Sequence, residues 1–200
     1  MTIMNREAFF ARIAMLPTGD LADIQQAYWL AKSAHRVQAP RDGGGRYFDH
    51  PREVALTLID RCHMSKSIII KGLLHDCIED TFTLLQAYLS LFGQDVYGSL
   101  LRLSKYVPVF HTVNGSLIGR YKKDEGEYYE ALASGPLEDR LVKCADRRHN
   151  LMTMGEGWSA EKQRNYGKNT RKYILPFARE TDAWFADELD RLSLAALKTT

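Results

Sequence analysis

Apolar residues recur along most of the chain at the three- and four-residue spacing of helices that bury one side. The segment from Asp20 to Val37, for example, places Ile24, Tyr28 and Ala31 on one side of a helix. Runs in which apolar and polar residues alternate, which are typical of half-buried strands, are missing. The pattern predicts an all-α fold, a helical bundle of about ten helices with little or no sheet.

Residues with capping or helix-breaking chemistry divide these periodic segments. Pro51 suits the first turn of a helix, where its missing N–H is not needed. Ser65 can cap the next helix, and Gly93 can end the one after it. Proline and glycine predict a loop over residues 38–49, and residues 106–119 are predicted to be irregular, with a turn at their Asn-Gly-Ser sequence.

Composition favours a cytoplasmic globular protein. The 200 residues contain no repeat or linker, so residues 1–200 are predicted to form a single domain. A net charge of +2 is too small for general nucleic-acid binding. No apolar stretch is long enough to cross a membrane, and the N-terminal segment does not resemble a signal peptide. Cys62, Cys77 and Cys144 lack paired spacing and are expected to be free thiols. The aromatic-rich C-terminal segment leaves a homo-oligomer possible.

The stretch LLHDCIEDT, residues 73–81, combines apolar residues with four ionisable side chains. On a continuous helix, His75, Asp76, Glu79 and Asp80 share one face. Burying such groups is costly unless they are compensated. The face can therefore meet solvent, an ion-pair network or a metal. Imidazole and carboxylate are good ligands for divalent transition metals, and neighbouring carboxylates can serve a water.

Two further residues extend this pattern. His35 lies at the end of an apolar helical stripe, and Asp146 lies in the apolar segment LVKCADRRHN. Asn150 and Thr153 share a helix face with Asp146. Taken singly, each residue is more simply explained as a core histidine or a surface ion pair. Their joint occurrence leaves a metal site and a structural ion-pair cluster as equal interpretations.

Five segments in this order resemble the HD hydrolase domain of RelA/SpoT-type stringent-response enzymes, above all the stand-alone small alarmone hydrolases. They are AYWLAKSAHRVQ, RYFDHPREVA, IIIKGLLHDCIEDT, LVKCADRRHNLMTM and GW, within roughly residues 20–170. The resemblance implies a manganese-dependent hydrolase, with one Mn²⁺ per chain, that removes the 3′-pyrophosphate of a nucleotide alarmone. It implies His35, His75, Asp76 and Asp146 as metal ligands, Glu79 and Asp80 as the catalytic pair, and Asn150 and Thr153 in the nucleotide pocket.

The likeness is weaker where the family contacts the base. The basic run expected after Gln38 is replaced, so that only Arg41 and Arg46 remain as substrate-binding candidates. Met152 stands where the family usually has arginine. Guanine and adenine alarmones, (p)ppGpp and (p)ppApp, therefore both stay open as substrates.

The remaining basic and histidine residues receive separate predictions. Lys143 is a phosphate-binding candidate, together with Lys105, Arg120 and Lys122. His50 is expected to brace its loop by a hydrogen bond rather than to bind metal. His149 is expected to point away from the site.

Three other functions are compatible with the sequence. The chain could hydrolyse another nucleotide, such as a 3′-phosphorylated cofactor or a nucleoside monophosphate. It could instead bind an alarmone without catalysis, or be a structural helical domain. Release of phosphate without pyrophosphate would indicate another nucleotide substrate. Loss of metal ligands or of the Glu-Asp pair from the sequence would indicate a non-catalytic binder, and purified protein without metal would indicate a structural domain.

Overall fold

The computed structural model describes residues 6–39, 45–61, 63–81, 85–113, 117–155 and 157–200. Helices form most of these ranges, and the prediction of an all-α fold is confirmed. A π-helical turn spans Thr170–Ile174. The helices are α1 (Arg6–Arg12), α2 (Thr18–Ala34), α3 (Asp49–Asp60), α4 (Lys66–Leu74), α5 (Cys77–Asp80), α6 (Leu85–Leu103), α7 (Glu125–Ala133), α8 (Leu137–Thr153), α9 (Ala160–Asn169), α10 (Leu175–Thr181) and α11 (Ala183–Leu197).

Helix α4 lies at the centre of the fold, in contact with α2, α3, α6 and α8. Its Ile69, Leu73 and Leu74 side chains are completely buried. Gly72 lets α3 approach closely, because a Cβ atom there would lie 3.1 Å from Leu58 Cδ1 and 3.2 Å from a backbone atom of α3. The apolar repeat of α4 thus packs against four other helices directly before the His-Asp pair that follows it.

Several predicted helix ends are confirmed. The Ser65 hydroxyl caps α4 by accepting the Ile68 N–H at 3.2 Å. Gly93 interrupts α6 with a φ of 78°, a value that favours glycine. Two of the features predicted from the sequence, the Cys62 thiol and the Asn-Gly-Ser turn, lie outside the described residues.

A two-stranded antiparallel sheet occupies the segment that was predicted to be irregular. Strands β1 (Tyr106–Phe110) and β2 (Leu117–Lys122) pair with Tyr106 opposite Lys122. The prediction is wrong because Pro108 and the exposed apolar positions obscure the alternation of half-buried strands. Proline is acceptable here, since a two-stranded ribbon has edges that need no N–H donor.

The C-terminal helices pack on the rest of the molecule. Helix α11 lies against α8 and α9, and its Phe185 and Leu189 are completely buried. The aromatic-rich segment therefore uses much of its apolar surface within the chain. Cys77 and Cys144 are buried free cysteines, as predicted. Among the described residues, no helix is both long and apolar enough to span a bilayer.

Candidate active site

Two histidines and two aspartates from separate parts of the chain meet in the interior. His50 comes from α3, His75 and Asp76 from the turn between α4 and α5, and Asp146 from α8. His50 Nε2 lies 3.3 Å from Asp76 Oδ2 and 3.3 Å from Asp146 Oδ1. His75 Nε2 lies 3.1 Å from Asp76 Oδ1 and 3.7 Å from Asp146 Oδ1. These four residues are called the His-Asp cluster below.

The donor atoms of the His-Asp cluster fit a divalent metal ion. One ligand atom from each of His50, His75 and Asp76 lies within 4.8 Å of the other two, a spacing that can hold one ion. His50 Nε2 and His75 Nε2 are buried, and neither forms a hydrogen bond with any residue that the structure describes. Buried polar atoms normally have partners, so these two nitrogens indicate a ligand between the four residues. Imidazole and carboxylate together suit a divalent transition metal.

Both imidazole rings are oriented by hydrogen bonds at their other nitrogen. His75 Nδ1 lies 2.8 Å from the Gly72 carbonyl oxygen and donates to it, so its Nε2 faces the cluster. His50 Nδ1 lies 2.8 Å from His149 Nδ1. The prediction that His149 points away from the site is therefore wrong. Hydrogen bonds of this kind set the tautomer and direction of metal-binding histidines.

Asp146 is held by its own helix. Lys143 Nζ donates to Asp146 Oδ2 at 2.8 Å, and Asn150 Nδ2 donates to Asp146 Oδ1 at 2.6 Å. Burial raises the pKa of Asp146, but the charge of Lys143 and the contacts with His50 outweigh it, so that the pKa lies well below its usual range. Asp146 is thus an anion in the interior. Lys143 and Asn150 both contact this carboxylate, and their predicted contact with substrate stays a prediction.

Charge within the His-Asp cluster is strongly coupled. Burial lowers the pKa of His75, but the negative charges of Asp76 and Asp146 more than offset this effect and raise the pKa to about 10. Burial likewise raises the pKa of Asp76, whereas His75 and His50 hold it well below its usual value. A proton on His75 therefore balances part of the carboxylate charge, and a metal ion would displace it.

His35 occupies a different environment from the one predicted. Its Nδ1 is hydrogen-bonded to Gln38 Oε1, and its Nε2 lies 3.6 Å from Cys77 Sγ. Its ring stacks on Tyr47, with centroids 4.8 Å apart. Burial lowers the pKa of His35, which favours the neutral ring. Both nitrogens have protein partners, and the structure groups His50 rather than His35 with His75 and Asp76.

Glu79 and Asp80 are the last two residues of α5, and each accepts a hydrogen bond from another part of the chain. The Lys105 N–H donates to Glu79 Oε2 at 2.9 Å. The Tyr47 hydroxyl donates to Asp80 Oδ2 and lies 3.4 Å from Asp76 Oδ2, so it bridges the pair and the His-Asp cluster. Burial and the charge of Asp76 raise the pKa of Asp80 to about 6. Asp80 can therefore take up a proton close to neutral pH.

A basic and aromatic cavity of about 380 Å³ adjoins this pair. Lys105 lines it and also contacts Glu79. The buried Lys143 bonded to Asp146 has its Nζ 5.7 Å from the ring of Tyr128, another lining residue. The cavity is lined by Lys105, Lys122, Lys123, Glu125, Tyr128, Tyr129, Arg147, Trp158, Lys162, Asn165, Tyr166 and Asn169.

Sequence reasoning found only part of this cavity. The sequence predicts Lys105 and Lys122 as phosphate candidates, and Trp158 belongs to the GW segment that carries part of the resemblance. The sequence gives no indication that Lys123, Lys162 and the aromatic side chains line a cavity, because lysines and tyrosines in separate helices are common on protein surfaces. Their convergence depends on how α7, α8 and α9 pack.

Arg46 and Thr153, two further residues predicted to bind substrate, do not line this cavity. Arg46 is largely exposed, with its Nη2 atom 3.5 Å from Asp49 Oδ1. The Thr153 hydroxyl donates to the His149 carbonyl oxygen of its own helix at 2.9 Å. Arg41 lies outside the described residues.

Comparisons with known proteins agree with the fold. Residues 27–184 match the HD domain family, and the chain belongs to that family, as predicted. It is 32% identical over 187 residues to a GTP pyrophosphokinase of Myxococcus xanthus. It is 32% identical over 165 residues to a guanosine-3′,5′-bis(diphosphate) 3′-pyrophosphohydrolase of Aquifex aeolicus. It is 30% identical over 187 residues to the bifunctional (p)ppGpp synthase/hydrolase SpoT of Escherichia coli.

These matches span most of this chain but only part of each relative. They cover 91%, 81% and 91% of the chain, respectively, but 24%, 22% and 25% of the relatives. The chain thus spans about a quarter of the length of these proteins. A solved structure of a metazoan ortholog of SpoT that hydrolyses ppGpp matches with a TM-score of 0.71 at 22% identity, covering 90% of this chain and 97% of that one. This likeness shows the shared fold.

Proposed function

We propose that this protein is a metal-dependent hydrolase that removes the 3′-pyrophosphate of (p)ppGpp or (p)ppApp. The products are the nucleoside 5′-diphosphate or 5′-triphosphate and pyrophosphate. The observation that carries the proposal is the His-Asp cluster. In it, two buried Nε2 atoms that form no hydrogen bond within the described parts of the chain face two carboxylates whose pKa values lie well below the usual range. That arrangement suits a divalent cation, and a carboxylate with a raised pKa lies beside it.

The His-Asp cluster would hold one Mn²⁺ through His50, His75, Asp76 and Asp146. His50 then has the ligand role that the sequence analysis assigned to His35. When bound, the ion supplies a Lewis acid for a phosphoryl oxygen and lowers the pKa of water. Lys143 and Asn150 hold Asp146 in place, and His149 and the Gly72 carbonyl orient the two imidazoles. The ligands are therefore positioned before an ion arrives, which reduces the cost of binding it.

Asp80 is the proposed general base. In the reaction, a water oxygen forms a bond to the phosphorus that is attached to the ribose 3′-oxygen. The bond between this phosphorus and the 3′-oxygen breaks, and the 3′-oxygen gains a proton. Asp80 takes the proton from the water, for which a pKa of about 6 is well matched near neutral pH. Glu79 is fixed by the Lys105 N–H and positions the water.

The basic cavity is the proposed site for the phosphate groups of the substrate. Its lysines and Arg147 outnumber its single acidic residue, Glu125. Charged donors bind phosphate oxygens strongly, and they also stabilise the charge that develops on a leaving pyrophosphate. The aromatic side chains offer apolar contact to the rest of the nucleotide. Relatives that are named as 3′-pyrophosphohydrolases support the same substrate class.

Product analysis tests the proposal directly. Purified protein is incubated with ppGpp and, separately, ppApp in the presence of Mn²⁺, and the products are separated by ion-exchange chromatography. We expect pyrophosphate and the nucleoside 5′-diphosphate, and the ratio of the two kcat/KM values identifies the preferred base. An Asp80→Asn variant with unchanged metal content serves as the control for contaminating hydrolases. Release of phosphate without pyrophosphate would refute the proposal and indicate another nucleotide substrate.

A further inference from the structure

A second cavity, of about 310 Å³, lies between the end of α2 and the turn that precedes α3. Its position differs from that of the proposed phosphate cavity, because the two share no lining residue. Lys32, Arg36 and Arg46 supply three positive charges, of which Arg46 is paired with Asp49. Among the described residues, no aspartate or glutamate lines the cavity. Trp29, Tyr47 and Phe48 supply aromatic surface.

Two of the cations have no acidic partner among the residues that the structure describes. Within the described parts of the chain, neither Lys32 nor Arg36 lies within ion-pair distance of a carboxylate. Lys32 Nζ instead lies 4.6 Å from the centre of the Trp29 ring. Unneutralised charges around a concave aromatic surface favour a ligand that is both anionic and planar.

The size of the cavity narrows the ligand class further. A volume of about 310 Å³ lies at the lower end of the range for small-molecule sites, which is ~300–1,000 Å³. It is suited to one ring system with one phosphate rather than to a nucleotide carrying two diphosphate groups.

The cavity wall is connected to the proposed general base. Tyr47 lines the cavity, and its hydroxyl group donates a hydrogen bond to Asp80 Oδ2. Gln38, also in the lining, donates from Nε2 to the Asp80 carbonyl oxygen at 2.9 Å and accepts from His35. A ligand that moves either side chain therefore changes a hydrogen bond to Asp80.

We propose that this cavity is an effector site for a small aromatic phosphate of the nucleoside monophosphate class, and that its occupancy changes turnover through Tyr47 and Gln38. The proposal that the cavity binds such a ligand depends only on the charges, aromatic side chains and volume of the cavity. The effect on turnover rests on the proposed function.

GMP is a suitable probe, and calorimetric titration of the Mn²⁺-loaded protein measures its binding. We expect Lys32→Ala/Arg36→Ala to weaken GMP binding at least tenfold. Lys168→Ala/Lys198→Ala removes the same charge at exposed positions away from both cavities and should change binding less than twofold. Lys162→Ala, in the other cavity, should also leave GMP binding within twofold, and inorganic phosphate should bind at least tenfold more weakly than GMP. Equal GMP binding by the Lys32→Ala/Arg36→Ala variant would overturn the assignment.

Kinetics test the coupling to Asp80. Saturating GMP should change kcat at saturating alarmone at least twofold in the wild type. The Lys32→Ala/Arg36→Ala variant should keep its basal kcat within twofold and lose the response. If GMP raises KM and leaves kcat unchanged, it competes with the substrate, and the effector role is wrong. If the wild type hydrolyses no alarmone, the proposed function fails, whereas the calorimetric result still decides whether the cavity binds GMP.

Discussion

His50 and His149 meet through their Nδ1 atoms, 2.8 Å apart, in the interior between α3 and α8. One nitrogen donates and the other accepts, so the pair fixes the tautomers of both rings relative to each other. Because Nδ1 of His50 is engaged in this way, its Nε2 is left facing Asp76 and Asp146. The orientation of a proposed metal ligand thus depends on a residue that contributes no ligand atom itself.

Replacement of His149 by phenylalanine should weaken metal binding while leaving the fold intact. The ring volume is largely kept, but the hydrogen bond that orients His50 is lost. Outer-shell partners of this kind contribute ~10–100-fold to metal affinity, and we expect a loss of Mn²⁺ affinity in that range by calorimetry. His111→Phe is the matched control, because His111 is an exposed histidine on the loop after β1. Unchanged affinity in the His149 variant would show that His50 needs no orienting partner.

The roles of His50 and His35 can be separated by metal analysis. His50→Ala removes a proposed ligand, so the purified variant should lose its bound metal. His35→Gln keeps a polar side chain near Gln38 and Cys77, and should retain close to one ion per chain. Elemental analysis of chelator-free protein, with circular dichroism to confirm folding, makes the comparison. The reverse result would restore His35 as the ligand.

Tyr47→Phe should shift the pH dependence of turnover. The hydrogen bond from Tyr47 lowers the pKa of Asp80, in opposition to burial and the charge of Asp76. Without it the pKa rises, so Asp80 stays protonated and inactive as a base up to a higher pH. We expect the acid limb of the kcat profile to move to higher pH in the variant. An acid limb at the wild-type position would remove Asp80, or its contact with Tyr47, from the rate-determining step.

Gly72→Ala should disturb stability and metal binding together. The added methyl group would lie 3.1 Å from Leu58 Cδ1 and 3.2 Å from the Ala55 Cα atom, so α3 and α4 must move apart. Overpacking of this kind costs ~1–3 kcal/mol of unfolding free energy. Because α3 carries His50 and α4 leads into His75, the same movement should reduce Mn²⁺ affinity. Gly19→Ala is the control, since a Cβ atom there meets nothing within 4 Å. Urea unfolding and metal titration of both variants provide the test.

The local features of this protein could be predicted from its residues. Helical periodicity, the Ser65 cap and the interruption at Gly93 depend on contacts within a few residues, and such contacts are encoded in short segments. The order of the motifs was enough to place the chain in its family. The sequence also grouped Asp76 with Asp146, since each belongs to a short segment whose apolar neighbours indicate burial, and the structure brings both carboxylates next to His50 and His75.

Which histidine joins those aspartates was decided only by the packing of helices. His35 and His50 both stand beside apolar residues, and nothing near either of them in the chain distinguishes them. His50 reaches the cluster because Gly72 lets α3 lie close to α4, whereas His35 at the end of α2 is turned toward Gln38 and Cys77. The basic cavity arises in the same way from α7, α8 and α9. Distances between residues that are far apart in the chain depend on the whole core, so short segments do not contain them.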